Sequence, residues 1–475
     1  MDTPLYLQLA SHYRSAIEGG TLTPGSRMPS VRTLTQLHAV SLSTALQACR
    51  HLEDAGWLEA RPRSGYFVRR PRRMAMAPVV EPDPARAPDP AQFVGIHDRV
   101  SDFIAKCEMY PVKVNLAVAF GSPDAYPTDA LRTAAARALR HHPDVLVSPV
   151  PPHGDKTFRT VLARRALASG MQLTPDDVLV THGCTEAINL ALRAVTQPGD
   201  TVAVESPTYY GLLQILESLG LRSIEIPTSP QHGISVDALE LALRTQPGIR
   251  AVVVIPNFQN PLGSVMPDEA KARLAALCHE HDVALIEDDT YGALADDDRP
   301  LKAVKHWERE GNVIHCASLH KILAPGMRLG WVSGGRWHAR IRMLKYAQSR
   351  PNDALGQIAA AEFMGSAAYD RHLVRLRRLL RERRQRMAES IAEHFPDGTR
   401  LAMPAGSMLL WVQLPGRQSS RDIFETALKA GVRISPGLMF SNSERYDHFI
   451  RISCGGQFTA QTEDALRLLG RIVAT

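Results

Sequence analysis

A lysine and an arginine lie seven residues apart in the apolar segment SLHKILAPGMRLGW, residues 318–331. Burying Lys321 or Arg328 in such a segment requires a partner, because an unpaired charge in an apolar interior is strongly destabilising. A lysine amine can form an imine with an aldehyde, and an arginine guanidinium can pair with a phosphate. The segment therefore indicates a binding site whose ligand neutralises both charges.

Other side chains that could bind a ligand come directly after apolar runs. The runs VLVTH, TVAVES, VVVIP, VALIED and VIHCAS alternate with helical periods, which predicts a parallel sheet covered by helices. Ligands bind such sheets at the carboxyl ends of the strands, so the residues after each run should meet there. These residues are Gly183, Cys184 and Thr185 at a helix start, then Tyr209, Asn260, Asp288, Tyr291, Lys321 and Arg328.

This set of residue types fits one cofactor, pyridoxal 5′-phosphate (PLP). PLP needs a lysine for its aldehyde, a carboxylate that keeps the pyridine nitrogen protonated, donors for the ring hydroxyl and an aromatic ring for stacking. A helix start and a cation would hold the phosphate. The sequence therefore predicts a PLP site at the sheet edge.

Composition restricts the class of protein. The chain has 475 residues, of which 44% are hydrophobic and 22% charged, so we expect two or three soluble domains. It contains no apolar run of about 18 residues and no signal peptide pattern, which predicts a cytoplasmic protein without a membrane partner. The six cysteines include no CxxC pair, which argues against a disulfide framework and against a metal site.

The first 73 residues are markedly basic and look like a separate module. They carry ten arginines, no lysine and five acidic residues, a net charge of +5 that suggests a polyanionic partner. Apolar spacing predicts three helices, with a short turn between the second and the third. The stretch WLEARPRSGYFVRR then predicts two strands around a turn, flanked by Arg61, Arg63, Arg69 and Arg70. That order is typical of a winged helix-turn-helix.

The segment GTLTPGSRMPSVRTLTQLHAVSLSTALQACRHLEDAGWLEARPRSGYFV resembles the DNA-binding domain of the GntR family of bacterial regulators. This resemblance implies that Arg32, Ser43 and Thr44 meet phosphates and base edges of double-stranded DNA, and that the wing at Gly65 reaches the minor groove. The chain departs from many relatives at Leu42, where they have an arginine. The resemblance therefore does not indicate which DNA bases this domain prefers.

Five later segments resemble, in order, the motifs of fold-type I aminotransferases: THGCTEAINLALRAVTQPGDTVAVESPTYYG, NFQNPLG, IEDDTYG, SLHKILAPGMRLGW and IRISCGG. The resemblance implies that Lys321 forms the internal aldimine with PLP and that Asp288 pairs with the pyridine nitrogen. It also assigns Asn260 and Tyr291 to the ring hydroxyl and Tyr209 to stacking. The phosphate would be held by Ser318, Arg328 and the turn 183–185, and Arg451 would clamp a substrate carboxylate in a bidentate pair.

One departure from that family concerns residues 145–153. Many aminotransferases have a tyrosine in this region that reaches the phosphate of the partner subunit, and this chain has none. Further on, RHLVRLRRLLRERRQRM combines apolar helical spacing with many arginines. We interpret it as an amphipathic helix with a solvated basic face rather than as a nucleic-acid-binding segment.

The predicted organisation is a winged helix-turn-helix over residues 1–70, a proline-rich linker over 71–92 and an α/β aminotransferase-like domain over 93–475. That last domain has a mainly parallel sheet and a small C-terminal α+β subdomain from about residue 385. This layout resembles the MocR subfamily of GntR regulators from end to end, and it implies a homodimer, with head-to-tail exchange of the linker as one arrangement, that reads paired half-sites.

The main hypothesis is a transcriptional regulator that senses an amino acid, an amine or PLP itself. Two alternatives stay open: a working aminotransferase in which Lys321 is also the general base, and a regulator whose large domain is a cofactor-free dimerisation platform.

Overall fold

The computed structural model describes residues 4–23, 25–54, 57–61, 64–68, 76–83, 88–297, 300–416 and 418–475. The chain divides into two compact units, with the boundary near residue 76. Arg63, Arg69 and Arg70, which the sequence predicts beside the wing, lie outside the described residues. So do residues 71–75 and 84–87 of the predicted linker.

The N-terminal unit is a helix-turn-helix followed by a two-stranded wing. Its elements are α1 (Leu5–Glu18), α2 (Val31–His38), α3 (Leu42–Asp54), β1 (Leu58–Arg61) and β2 (Gly65–Val68). Ser30 caps α2 by accepting a hydrogen bond from the Thr33 amide at 3.1 Å. Ser41 caps α3 in the same way, through the Thr44 amide at 3.1 Å. These caps satisfy amide groups that a helix start otherwise leaves unpaired, so both helices begin where the serines stand.

A small apolar core holds this unit together. Leu9, Tyr13, Leu34, Cys49 and Leu58 are all buried in it. The antiparallel pairing of β1 with β2 sets Arg61 opposite Gly65 at the end of the wing. Gly65 has a φ of +93°, a backbone conformation that residues with a β-carbon rarely adopt.

The second unit is built on one large sheet with the strand order β3-β7-β6-β9-β10-β11-β12-β5, and β8 pairs with β7. The strands are β3 (Gln92–Phe93), β5 (Leu179–Thr181), β6 (Thr201–Ser206), β7 (Arg222–Ser229), β8 (Gly233–Ile234), β9 (Ile249–Val254), β10 (Ala284–Asp288), β11 (Val313–Ser318) and β12 (Gly330–Ser333). The pairings of β7 with β6, β6 with β9, β9 with β10 and β10 with β11 are all parallel. The predicted α/β class with a mainly parallel sheet is confirmed.

Helices connect and cover these strands. They are α4 (His97–Met109), α5 (Thr128–His141), α6 (Lys156–Ala166), α7 (Cys184–Val195), α8 (Tyr210–Ser218), α9 (Val236–Thr245), α10 (Asp268–Glu280), α11 (His338–Gln348) and α12 (Ala354–Met364). The central strands are buried along their whole length, as in β6 and β11. Because both faces are covered, their sequences are continuous apolar runs rather than alternating ones.

A second, antiparallel sheet with the order β13-β14-β17-β16 forms the C-terminal subdomain. Its strands are β13 (Arg400–Leu401), β14 (Leu409–Gln413), β16 (Ser435–Pro436) and β17 (Phe449–Ser453), with helices α13 (Ala367–His394), α14 (Ser420–Lys429) and α15 (Ala460–Ala474). A separate parallel pair joins β4 (Val114–Asn115) to β15 (Val432–Arg433). That pair ties the early part of the unit to its C-terminal part.

The solvated basic face predicted for residues 371–386 is wrong in part. Arg383 and Arg384 in α13 are buried, and they form ion pairs with Asp124 and Asp296 respectively. Both guanidinium groups also donate to backbone carbonyl oxygens, those of Gly455 and Ser407. Because each buried cation has a carboxylate partner and carbonyl acceptors, burial is tolerated.

Part of the segment predicted as a linker contacts the C-terminal subdomain. The Leu401 amide donates to the Ala77 carbonyl at 2.9 Å, and the Val80 amide donates to the Gln413 side chain at 3.3 Å. Val79 between them is buried. Among the described residues of the chain, none of the helices has both the length and the apolar composition needed to cross a bilayer.

Two leucines on α2 provide a matched test of the N-terminal core. Leu34 is 1% exposed and Leu37 is 65% exposed. We predict that Leu34→Ala lowers the free energy of unfolding of this unit by about 2–5 kcal/mol, because it removes buried methyl groups and leaves a cavity. Leu37→Ala should change it by less than about 0.5 kcal/mol. Calorimetry of the full chain would measure both, and equal losses would contradict this account of the core.

Candidate active site

One cavity of about 310 Å³ in the second unit collects the residues that the sequence singled out at strand ends. Every residue predicted to bind PLP or a substrate carboxylate lines it: Gly183, Cys184, Thr185, Tyr209, Asn260, Asp288, Tyr291, Ser318, Lys321, Arg328 and Arg451. Asp288 and Ser318 are the last residues of β10 and β11, and Tyr209 immediately precedes α8. The parallel sheet brings them together because its carboxyl ends face the same edge.

The amine of Lys321 lies in this cavity, with its Nζ 6.0 Å from the centroid of the Tyr291 ring. Burial and the nearby Arg451 guanidinium lower the pKa of Lys321 to about 8, against the opposing attraction of Asp288. Both effects disfavour the charged form. More of the amine is therefore uncharged near neutral pH than in an ordinary lysine, and this uncharged form can act as a nucleophile.

The carboxylate of Asp288 has little contact with solvent. Its Oδ1 accepts a hydrogen bond from the Cys184 thiol at 3.2 Å and another from the Thr290 amide at 3.1 Å. Burial raises the pKa of Asp288 despite these donors. A cationic group placed against this carboxylate would favour its charged form again. The sequence did not indicate the role of the Cys184 side chain, because the contact spans residues 104 positions apart.

A second corner of the cavity is suited to an anion. Gly183 has a φ of +88° and stands directly before α7, where the first amides of the helix are not paired within it. A β-carbon at this glycine would lie 3.3 Å from Nη2 of Arg328. The Arg328 guanidinium donates from Nη2 to the His182 carbonyl at 3.2 Å and from Nη1 to Nδ1 of His320 at 2.9 Å. Glycine, helix start and guanidinium thus surround one small space.

His320 had no role in the sequence-based interpretation, and the structure gives it one. Its ring accepts the hydrogen bond from Arg328. Burial, together with the positive charges of Lys321 and Arg328, lowers the pKa of His320 to about 4. The ring is therefore neutral near pH 7 and remains an acceptor that orients the guanidinium.

Arg451 reaches the cavity from β17 of the C-terminal subdomain and is 2% exposed. Its Nη1 donates to the Asn260 side-chain oxygen at 3.0 Å, and its Nη2 donates to the Ala117 carbonyl at 2.6 Å and the Ser435 hydroxyl at 3.1 Å. The Nε atom is buried and has no hydrogen-bond partner among the described residues. The C-terminal subdomain therefore folds back onto the strand ends and supplies a cation with a spare donor.

The predicted DNA-binding residues lie in the other unit. Arg32 on α2, Ser43 on α3 and Gly65 at the wing are exposed, and Thr44 is half-buried. The Ser41 hydroxyl lies 2.8 Å from the hydroxyls of both Ser43 and Thr44. The helix start for which the family resemblance implies base contacts is thus accessible at the surface.

Comparisons with known proteins agree with this two-part arrangement. Residues 5–68 match the family described as bacterial regulatory proteins, gntR family, and residues 113–469 match the family described as aminotransferase class I and II. The uncharacterized HTH-type transcriptional regulator YjiR of Escherichia coli K12 is 36% identical over 98% of each chain. The probable rhizopine catabolism regulatory protein MocR of Rhizobium meliloti is 26% identical over 92% of this chain and 87% of its own.

This chain belongs to the MocR subfamily of GntR regulators. Among solved structures, it resembles the α-aminoadipate aminotransferase LysN of Thermus thermophilus, complexed with N-(5′-phosphopyridoxyl)-L-leucine. The TM-score is 0.72 at 26% identity, over 79% of this chain and 94% of LysN. The MocR-type chain is therefore a GntR-type DNA-binding domain fused to a domain with the fold of PLP-dependent aminotransferases.

A buried ion pair supports the anion-binding corner of this MocR-type chain. Lys345 on α11 donates to Glu186 on α7 at 3.1 Å, and their side chains are 2% and 9% exposed. Glu186 also accepts the His182 amide at 2.6 Å, so the pair positions the turn whose carbonyl binds Arg328. Sequence reasoning missed this pair. Glu186 stands in the CTEAIN stretch, but nothing local indicates Lys345.

We predict that Lys345→Ala lowers the free energy of unfolding by about 3–5 kcal/mol, because it leaves the Glu186 carboxylate buried without its cation. The double variant Lys345→Met/Glu186→Gln should lose clearly less, since no charge remains unpaired. Thermal unfolding of the three proteins measures both effects. A single variant as stable as the parent would show that the pair does not support the turn.

Proposed function

We propose that this MocR-type chain is a PLP-dependent transcriptional regulator that senses an amino acid, an amine or PLP itself. The observation that carries the proposal is the cavity that unites Lys321, Asp288, Arg328 and Arg451 in a chain whose other unit is a GntR-type DNA-binding domain. We further propose that it acts as a homodimer with two DNA-binding units. A symmetric dimer would recognise paired half-sites in double-stranded DNA.

The donor set of the cavity fits PLP group by group. Lys321 would hold the aldehyde carbon, and the buried Asp288 carboxylate would hold the pyridine nitrogen. Asn260 and Tyr291 would donate to the ring hydroxyl, and Tyr209 would stack on the ring. Ser318, Arg328 and the turn of Gly183, Cys184 and Thr185 would hold the phosphate. When bound, the cofactor supplies an electrophilic carbon that exchanges one amine for another.

Two further properties of these residues suit a sensor of amines. The lowered pKa of Lys321 suits its amine to exchange with an incoming amine. The lysine amine can act as the leaving group in that exchange and as the nucleophile in its reversal. Arg451 carries a donor that is free among the described residues, and it would bind the carboxylate of that ligand. Since Arg451 comes from the C-terminal subdomain, a bound ligand would contact both parts of the unit and could favour one conformation of it.

A working aminotransferase is the second candidate. Lys321 favours it, since an amine with a pKa of about 8 can accept and return a proton at the carbon next to the substrate nitrogen. The lack of a tyrosine in residues 145–153 counts against it. Turnover of amino donors in the presence of keto acids would establish this activity, whereas a regulator would show ligand-dependent DNA binding without sustained turnover.

The uptake of PLP by the cofactor-free protein should depend on pH. Because only the uncharged amine attacks an aldehyde, the rate should rise as the pH passes through about 8, the pKa of Lys321. Arg451→Gln removes a neighbouring positive charge, so the pKa of Lys321 should rise and the profile should move to higher pH. Absorbance of the bound cofactor reports the rate. Arg471→Gln, on exposed surface in α15, is the control and should leave the profile unchanged, whereas Lys321→Ala should show no covalent uptake.

Binding of the protein to its own upstream DNA should weaken when the positive charge at Arg32 is removed. Neutralising a phosphate contact should lower the affinity for all sequences alike and reduce the slope of log K against log salt concentration by about 1. Fluorescence anisotropy at several salt concentrations compares Arg32→Ala with Arg471→Ala, which removes the same charge from the other unit. Equal slopes in the two variants would contradict the assignment of Arg32.

The same anisotropy assay tests the proposed function as a whole. We expect DNA binding that changes when PLP and an amino acid or amine are added. If the affinity for DNA stays the same when PLP and an amino acid or amine are added, in a protein that retains bound PLP, the sensing part of the proposal is wrong. If the protein takes up no PLP, the result favours the alternative hypothesis that the large domain is a cofactor-free dimerisation platform.

A further inference from the structure

Arg433 lines the same cavity and is not one of the residues that would hold PLP or the α-carboxylate of a ligand. It is the last residue of β15, two positions before Ser435 in β16. Residues two apart in an extended chain point to the same side. The Ser435 hydroxyl accepts a hydrogen bond from Arg451 at 3.1 Å, so Arg433 and Arg451 come from adjacent places and both face the cavity.

The guanidinium of Arg433 has no acidic partner within the described part of the chain. It lies over the ring of Phe103, 5.2 Å from its centroid, and its Nε atom is buried without a hydrogen-bond partner. The buried Arg383 and Arg384 behave differently, since each is paired with a carboxylate. An aromatic ring offers a cation much less than a carboxylate does. Arg433 is therefore held in place while its donors remain available.

The charges of the cavity are unevenly balanced. Its lining contains the cations Lys321, Arg328, Arg433 and Arg451 but one carboxylate, Asp288. Under the proposed function, Lys321 would be bonded to the cofactor, Arg328 would face its phosphate and Arg451 would bind the α-carboxylate of the ligand. One cation then remains, and its natural partner is a second anionic group on the same ligand.

We propose that Arg433 binds the side-chain carboxylate of an acidic α-amino acid, so that the ligand sensed by this protein is a dicarboxylic amino acid. This inference rests on the proposed function and specifies the ligand class of its site. Two guanidinium groups on the C-terminal side of the cavity select two carboxylates, while Phe103 covers the Arg433 guanidinium on one face. A neutral side chain of the same size would leave Arg433 without an anionic partner.

The test uses the full-length protein loaded with PLP and two pairs of ligands matched in size: L-aspartate with L-asparagine, and L-glutamate with L-glutamine. Calorimetry and the absorbance of the bound cofactor give the affinities. We expect at least one acid to bind about tenfold or more tightly than its amide, as a charge-assisted hydrogen bond would provide. Arg433→Gln should bring this ratio close to one, Arg433→Lys should keep part of it, and the surface variant Arg471→Gln should keep all of it.

The possible failures are distinguishable. If amides bind as tightly as acids to the parent protein, or if the preference survives in Arg433→Gln, the role of Arg433 is wrong while the sensing of amino acids stands. If neither acids nor amides bind or perturb the bound cofactor, the proposed sensing of amino acids fails and this inference fails with it. Should Arg433→Gln not fold, the acid-to-amide ratios of the parent and of Arg433→Lys still decide the question.

Discussion

The cavity at the carboxyl edge of the large sheet gathers several positive charges in a small space. Lys321, Arg328, Arg433 and Arg451 line it together with the single carboxylate of Asp288. Like charges so close together repel one another, and the lowered pKa values of Lys321 and His320 follow from burial and from that repulsion. A ligand that carries a phosphate and carboxylates would balance these charges. The excess of positive charge therefore restricts the site to anionic ligands, whatever individual contacts they make.

The fold supplies this arrangement from two sides. Parallel strands deliver Asp288, Ser318 and Lys321 to one edge, and the antiparallel C-terminal sheet delivers Arg451. A ligand that touches both sides would stabilise the conformation in which they are close. For a regulator, such a ligand matters only to the extent that it binds one state of the protein better than another, because that difference is all that can shift DNA binding.

Much of the site could be predicted because its residues stand next to strong local patterns. Asp288 ends one short apolar run and Lys321 closely follows another, and their alternation with helical periods favours buried parallel strands. Gly183 precedes a helix start, so the predicted topology places all three at one edge. The thiol of Cys184 against Asp288 and the pairing of Lys345 with Glu186 were not predictable in this way. Each contact joins residues more than a hundred positions apart. Nothing in the local sequence around either residue indicates its partner, so the contact becomes apparent only in the folded chain.

The sequence by itself determined the two-part organisation of this MocR-type chain, its α/β class and the residue types of a PLP site, because periodicity, helix caps and turn residues are local properties of the chain. Only the tertiary structure decided which charges are buried and what faces them. It buried Arg383 and Arg384 where a solvated face was expected, and it left Arg433 against an aromatic ring without a carboxylate among the described residues. The reason is physical: the energy of a charge depends on the solvent and partners around it, and packing between distant segments creates those surroundings.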